Sequence, residues 1–194
     1  MRNIIITTSR RPNRRIRSFI KDFELVIPRA IRLARGHLSM KDLYFEALNL
    51  NADRVIIVSD RRGNPGIIRI YKPENENLVN IVSFIVKGIA LSRERKAPQT
   101  TDVDKDKLRL IAKPVSGEKI ELEFAEAFRI GLHAQLYYKE DYESIISEIK
   151  AINERDVQVE FKYKDKSIGP RIKLGAPHRM IKIEQNPSQR DPAG

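Results

Sequence analysis

The stretch Thr7-Thr8-Ser9-Arg10-Arg11-Pro12-Asn13-Arg14-Arg15 concentrates more potential chemistry than any other part of this chain. Hydroxyls and arginines placed where a β-branched run gives way to a helix would offer a phosphate backbone N–H groups, a favourable dipole and guanidinium forks. The Gly-rich turn and Gly-Lys-Ser/Thr ending of a P-loop are absent, so the chemistry predicted is phosphate binding without nucleotide hydrolysis. The alternative is that Ser9 or Asn13 merely caps a helix and the arginines are plain surface. Arg29, Arg32, Arg35 and Lys41 continue the basic run around Gly36, and Arg61 and Arg62 occupy a turn beside Gly63. Ser9, Arg10, Arg11, Arg14, Arg15, Arg32, Arg35, Lys41, Arg61 and Arg62 are therefore candidate phosphate contacts, each of which would displace counterions and steepen the salt dependence of binding. Arg32 could equally pair with an acid from the second helix.

Other chemistries find little support. The chain has no cysteine, which removes thiolate zinc sites, iron–sulfur clusters, disulfides and cysteine nucleophiles. His37, His133 and His178 are scattered without metal-ligand spacing. Asp102, Asp104 and Asp106 fall in a polar stretch, and Glu121, Glu123 and Glu126 have a spacing that puts Glu121 and Glu123 on a solvent face of a strand, so both trios are expected to serve solvation. No catalytic residue, metal or cofactor is predicted. Exposed aromatics for base stacking are scarce, since tryptophan is absent and most of the seven Phe and six Tyr fit apolar faces. Backbone and shape recognition is the mode this predicts.

The wider composition agrees. With 194 residues, 41% hydrophobic and 32% charged, the chain can build one substantial domain or two small ones sharing a core. The net charge is +11 and the pI near 9.9, so a polyanion is the expected partner. Residues 1–41 hold eleven basic against two acidic residues and 161–194 eight against three, leaving the middle slightly acidic. If the two ends meet, they form one positive surface. The longest apolar runs are too short to cross a bilayer and no signal peptide opens the chain, so an intracellular, soluble protein without a membrane partner or small-molecule substrate is expected.

The elements that must position these residues can be read along the chain. Asn3 to Thr8 predicts a strand, and Ile16, Phe19, Ile20, Phe23 and Ile27 predict a helix over 13–27 that Pro28 closes. Residues 30–35 are β-compatible, Ser39 with Asp42 resembles a capping box opening a second helix that ends near Asn51, and Val55 to Val58 predicts a buried strand. Gly63-Asn64-Pro65-Gly66 turns the chain into a strand at Ile67 to Tyr71, and Lys72 to Asn77 looks like a linker between halves. Leu78 to Ile89 predicts a strand and Arg93 to Lys107 an exposed loop; Leu108 to Ala112 and Ile120 to Phe124 alternate as strands. Residues 125–135 are ambiguous, Tyr142, Ile145, Ile146, Ile149 and Ile152 form the stripe of a third helix, and Val157 to Tyr163 alternates as a half-buried strand. Asn64-Pro65-Gly66-Ile67-Ile68-Arg69-Ile70 parallels Ile168-Gly169-Pro170-Arg171-Ile172-Lys173-Leu174, which suggests internal duplication. Gln185 to Gly194 is expected to be a disordered tail.

The opening Thr7-Thr8-Ser9-Arg10-Arg11-Pro12, then Phe19-Ile20-Lys21-Asp22-Phe23, Pro28, Arg32, Arg35-Gly36, Ile56-Ile57-Val58 and Arg62-Gly63-Asn64-Pro65-Gly66 resemble, in order and spacing over about 72 residues, the Brix domain family of ribosome-biogenesis proteins. The second half matches in general pattern and length, and the chain size is similar to that of archaeal, Imp4-like members consisting of the Brix domain alone. The resemblance implies an α/β (α+β) fold over 1–184 in two related halves, 1–76 and 77–184. Each would be a mixed β-sheet with helices, similar to the anticodon-binding domain of class IIa aminoacyl-tRNA synthetases. It further implies non-catalytic binding of precursor ribosomal RNA during rRNA processing and subunit assembly, alongside other assembly factors and without a cofactor. For an archaeal protein the site of action would be the cytoplasm, and the nucleolus only for a eukaryotic one. The family's basic C-terminal segment would fall around Lys162 to Lys182, adding Lys162, Lys164, Arg171 and Lys173 to the RNA contacts. The alternatives are a protein-interaction scaffold and a tRNA-binding module of the anticodon-binding type.

Overall fold

The computed structural model describes residues 2–98, 104, 107–138 and 143–178. The expected tail at Gln185 to Gly194, Lys182, Tyr142, Asp102 and Asp106 lie outside the described residues. The fold is mixed α+β. The element order is β1 (Asn3–Thr8), α1 (Arg14–Val26), β2 (Ala30–Arg32), α2 (Met40–Asn49), β3 (Ala52–Arg61), β4 (Asn64–Glu74), β5 (Asn77–Ala90), α3 (Ser92–Arg95), β6 (Arg109–Pro114), α4 (Lys119–Leu132), β7 (Gln135–Leu136), β8 (Ser144–Ala151), β9 (Asp156–Tyr163) and β10 (Lys166–His178).

All ten strands join one sheet in the order β2-β1-β3-β4-β5-β10-β9-β8-β6-β7. From either end the pattern is the same: a parallel trio, two antiparallel hairpin steps, then the antiparallel pairing of β5 with β10 at the centre. The strand order thus groups β5 with β1 to β4. Lys72 to Asn77 is not a linker but the end of the β4–β5 hairpin around its tip Asn75-Glu76. The duplication parallel also shifts by one strand, because β10 answers β5 while β4 answers β9.

Three hairpin tips have two residues, both at positive φ: Arg62-Gly63, Asn75-Glu76 and Lys164-Asp165. Such turns match the right-handed twist of the strands they join, and Gly, Asn and Asp tolerate that backbone region. Asn64-Pro65-Gly66, expected within a turn, and its parallel Gly169-Pro170 already belong to β4 and β10.

Two other expectations are corrected. Ile120 to Phe124 is not a strand but the start of α4, and the expected third helix is the strand β8. In β8, Ile145, Ser147 and Ile149 alternate inward; Ser147 is buried and its hydroxyl donates to the Ile111 carbonyl at 2.8 Å. A serine on the core face hid the two-residue period and left the isoleucines looking helical. In α4, Glu121 is fully buried. Its carboxylate accepts from the N–H groups of Ser116 (2.8 Å), Gly117 (2.9 Å) and Ala151 (2.7 Å) and from the Ser116 hydroxyl (2.9 Å). A charged residue among core positions 120, 121, 124 and 125 made the helical stripe read as alternation.

One face of the sheet carries α1 and α4, and the other carries α2 over Ile5, Val55 and Ile57. Both helices of the main core reach across the centre: Phe23 of α1 meets Phe161 of β9 edge-on at 6.2 Å, and Phe84 of β5 stacks on Phe124 of α4 at 5.6 Å. Each such pair adds about 1 kcal/mol beyond the area it buries, which welds the two groups of strands into one core. Among the described residues no helix is long and apolar enough to cross a membrane.

Gly169 shows how tight the crossing is. Its φ is +62°, and a Cβ there would lie 2.3 Å from Val26 Cγ1 and 3.3 Å from the Asp22 carbonyl oxygen. Gly169→Ala should therefore destabilise the protein by about 3 kcal/mol, combining left-handed strain with overpacking. Urea unfolding checks this: an unchanged midpoint would show that α1 can retreat freely from β10.

Candidate nucleic-acid interface

Strand directions decide which loops share an edge. The C-terminal ends of β1, β2, β3, β5 and β9 and the N-terminal ends of β4, β6, β8 and β10 all emerge on one side of the sheet. That edge receives the loop Ser9 to Asn13 with the first turn of α1, the hairpin tip Arg62-Gly63, the segment after β2, α3, and the tip Lys164-Asp165.

Local bonds lock the basic pieces together. Asn13 caps α1 by accepting from the Ile16 N–H at 3.0 Å and donates from Nδ2 to Asp60 Oδ2 at 2.6 Å; the other Asp60 oxygen accepts from the Gly63 N–H at 3.1 Å. The tip bearing Arg61 and Arg62 is thereby held against the helix start bearing Arg10, Arg11 and Arg14. The predicted capping box opens α2: Ser39 Oγ accepts from the Asp42 N–H and Asp42 from the Ser39 N–H. Those hydrogen bonds from Ser39 hold the Asp42 carboxyl below its usual range, with burial opposing and the Arg35 and Arg10 charges adding to it.

Among the described residues, Arg10, Arg11, Arg14, Arg61 and Arg62 are exposed and their side chains make no hydrogen bond or ion pair. Lys41 is exposed with Nζ 6.0 Å from the Phe45 ring. Ser9 is half-buried, its N–H bound to the Val58 carbonyl at 3.0 Å. Other expected contacts are already partnered or buried. Arg15 forms a two-pronged pair with Glu94 of α3 at 2.6 and 3.2 Å, and this pair, with the Leu91 N–H, keeps the Glu94 carboxyl below its ordinary range. Arg32 lies 3.6 Å from Glu24, an acid of α1 rather than of α2. Arg35 is buried at 8% exposure.

The C-terminal cations divide. Lys164 stands at the edge, with Nζ 5.4 Å from the Tyr163 ring. Arg171 pairs with Glu160 at 3.2 Å; Arg95 shares that carboxylate, which also accepts from the Ser167 hydroxyl at 2.7 Å. Burial works against the Glu160 charge, but Ser167 and the two arginines outweigh it and hold its carboxyl below the usual range. Lys162, paired with Glu148 at 2.7 Å, and Lys173 lie on the sheet face away from α1 and α4. Sequence inspection missed Arg93, Lys96 and Lys166, exposed at this same edge. Only strand direction brings them there, and no periodicity announces it.

The comparisons with known proteins agree with this architecture. No family model matches the chain. A protein of Aeropyrum pernix named probable Brix domain-containing ribosomal biogenesis protein is 46% identical over 180 residues, 91% of this chain and 97% of its own length. A Methanococcus maripaludis protein of the same name is 27% identical over 176 residues, 88% of this chain and 94% of its own. A crystal structure of a probable ribosomal biogenesis protein from Aeropyrum pernix superposes with a TM-score of 0.87 at 44% identity, covering 94% of this chain and all of that one. An archaeal Imp4-like protein shares the fold, with a TM-score of 0.65 at 18% identity over 90% of this chain and 99% of its own.

Proposed function

This chain belongs to the Brix domain family of ribosomal biogenesis proteins, and from that premise we propose that it acts in ribosome biogenesis by binding precursor ribosomal RNA through the phosphates facing its basic edge, without catalysing a reaction. The observation that carries this reading is the set of five exposed arginines, Arg10, Arg11, Arg14, Arg61 and Arg62, gathered at one edge with no protein partner among the described residues. Guanidinium groups left free in a fixed arrangement suit phosphate oxygens, which accept two N–H bonds from one fork. Arg93, Lys96, Lys164 and Lys166 extend the surface along the strand ends. Contacts of this kind position an RNA without reading its bases. Lys162, Arg171 and Lys173 belong to the reading as outlying contacts, the first two only after exchanging a carboxylate for a phosphate. The relatives are archaeal, so the proposed site of action is the cytoplasm, with other assembly factors as neighbours on the RNA.

Ultraviolet crosslinking in cells, followed by sequencing of the RNA and mapping of the joined peptides, tests the proposal. Crosslinks on a few precursor ribosomal RNA sites through residues 9–15 and 61–62 are expected. Crosslinks chiefly on tRNA would favour the anticodon-binding type of module, and none above background would favour a protein scaffold; either result defeats the proposal.

A further inference from the structure

Beside the open arginine surface, the ends of the parallel strands β1 and β2 and the start of α1 enclose a crevice of about 460 Å³. Its walls include Thr8, Pro12, Arg17, Arg32, Arg35 and Gly36. We infer that this crevice seats a single phosphate group, carried by the bound RNA and gripped by Arg17, Arg32 and Arg35.

Three observations converge on it. Arg35 is 8% exposed, and among the described residues its Nε and Nη1 have no hydrogen-bond partner, while Nη2 reaches only the Met40 sulfur at 3.8 Å. A buried guanidinium with unmet donors is costly unless an acceptor arrives. Around the crevice the cations Arg10, Arg17, Arg32 and Arg35 also outnumber the carboxylates Glu24 and Asp42. Among the described residues the Arg17 side chain bonds only the Pro12 carbonyl, at 3.0 Å, and Glu24 lies 3.6 Å from Arg32. Burial, and next the charge of Arg10, hold the Arg35 guanidinium below its ordinary range, with Tyr71 and Asp42 opposing.

The third observation is the matching position in the other group of strands. Ser9 N–H bonds Val58 O and Val115 N–H bonds Ile149 O, both at 3.0 Å; Leu33 N–H bonds Ile6 O and Tyr137 N–H bonds Ala112 O, both at 3.0 Å. These pairs set Leu136 of β7 where β2 has Arg32, and the N-caps of the two helices, Asn13 and Glu118, set Leu122 of α4 where α1 has Arg17. Leu122 and Leu136 are 53% and 50% exposed. At these two matching positions the same architecture carries exposed leucines on one side and arginines on the other, so the arginines are a property of this site and not of the fold. Backbone N–H groups diverge likewise: those of Ser116 and Gly117 are taken by Glu121, whereas those of Arg10 and Arg11 have no acceptor among the described residues.

The inference rests on the RNA-binding proposal only for the source of the phosphate. It is tested by titrating the ¹⁵N-labelled full chain with inorganic phosphate against sodium chloride at equal ionic strength, following the Arg35 and Arg32 Nε–H and Gly36 amide signals. A saturable response to phosphate, weakened at least about tenfold in Arg35→Gln and also in the exposed variants Arg32→Gln and Arg17→Gln, is expected; the exposed variants keep the test valid if the buried change harms folding. Responses that are linear and identical for the two salts overturn the seat, whether or not RNA binds. Adding a ribosomal RNA fragment separates the remaining claims. Loss of the phosphate response in the complex supports a seat filled by RNA, and its persistence overturns that source. A saturable phosphate response in a protein that binds no RNA overturns the RNA proposal and the source while leaving the seat in place.

Discussion

Changing Arg10, Arg11, Arg61 and Arg62 together to glutamine is expected to lower affinity for a precursor ribosomal RNA fragment by on the order of a thousandfold at ~0.1 M salt. The slope of log K against log salt should become shallower by about 3. Both figures come from one argument. Each cation facing a phosphate releases condensed counterions, contributing a slope of about 0.7 to 0.9, so four contacts account for about three powers of salt and, at ~0.1 M, about three decades in affinity. The four side chains are exposed and bond to nothing among the described residues, so their replacement should leave thermal unfolding within a few degrees of the parent. Fluorescence anisotropy across a salt series measures both quantities. A weakened affinity with an unchanged slope would mean that the arginines act through protein conformation. An unchanged affinity would move the interface elsewhere.

The reason this prediction can be written from so few residues is also the reason part of the fold was legible beforehand. The first 72 residues announce themselves because each element carries its ordinary signal. α1 buries Ile16, Phe19, Ile20 and Phe23 on one stripe, Asn13 caps it, and Ser39 and Asp42 bracket the start of α2 as a capping box should. Elements misread in the second half share a cause. Ser147 and Glu121 are polar groups on core faces, each fully bonded inside the protein, and each breaks the hydrophobic period of its element. Periodicity assumes that buried means apolar, and a polar residue whose hydrogen bonds are satisfied violates that assumption at little cost. The site shows the same limit. Residue type drew attention to Arg10, Arg11, Arg61 and Arg62, but could not show that Glu94 takes Arg15, that Glu148 takes Lys162, or that the strand order carries Lys166 to the same edge. Ion pairs between distant segments and the direction of a strand are facts of the assembled sheet, not of local sequence.

Glu121 itself yields the second large effect. Glu121→Gln should destabilise the protein by about 3 kcal/mol near neutral pH. One carboxylate oxygen receives the Ser116 and Gly117 N–H groups, and the other receives the Ala151 N–H and the Ser116 hydroxyl. The carboxylate thus ties the loop between β6 and α4 to the end of β8. An amide has the right shape but must turn its NH₂ toward donors, and charge-assisted bonds of this kind each contribute about 1.5 to 3 kcal/mol. Burial pushes the Glu121 carboxyl up, yet the bonds from Ala151, Ser116 and Gly117 outweigh it and leave the group below its ordinary range. A carboxyl lowered in the folded state stabilises the fold above its unfolded value, about 4.3, and that contribution disappears as the pH falls through the folded value. The gap between parent and variant should accordingly be wide at pH 7 and narrow in strongly acidic solution. Urea unfolding at both pH values checks the sign. A gap of equal size in acid would assign the loss to shape or packing, and no gap at pH 7 would show that solvent can replace the carboxylate. RNA affinity should survive the change in the folded variant, because this loop lies at the edge of the sheet opposite the arginines.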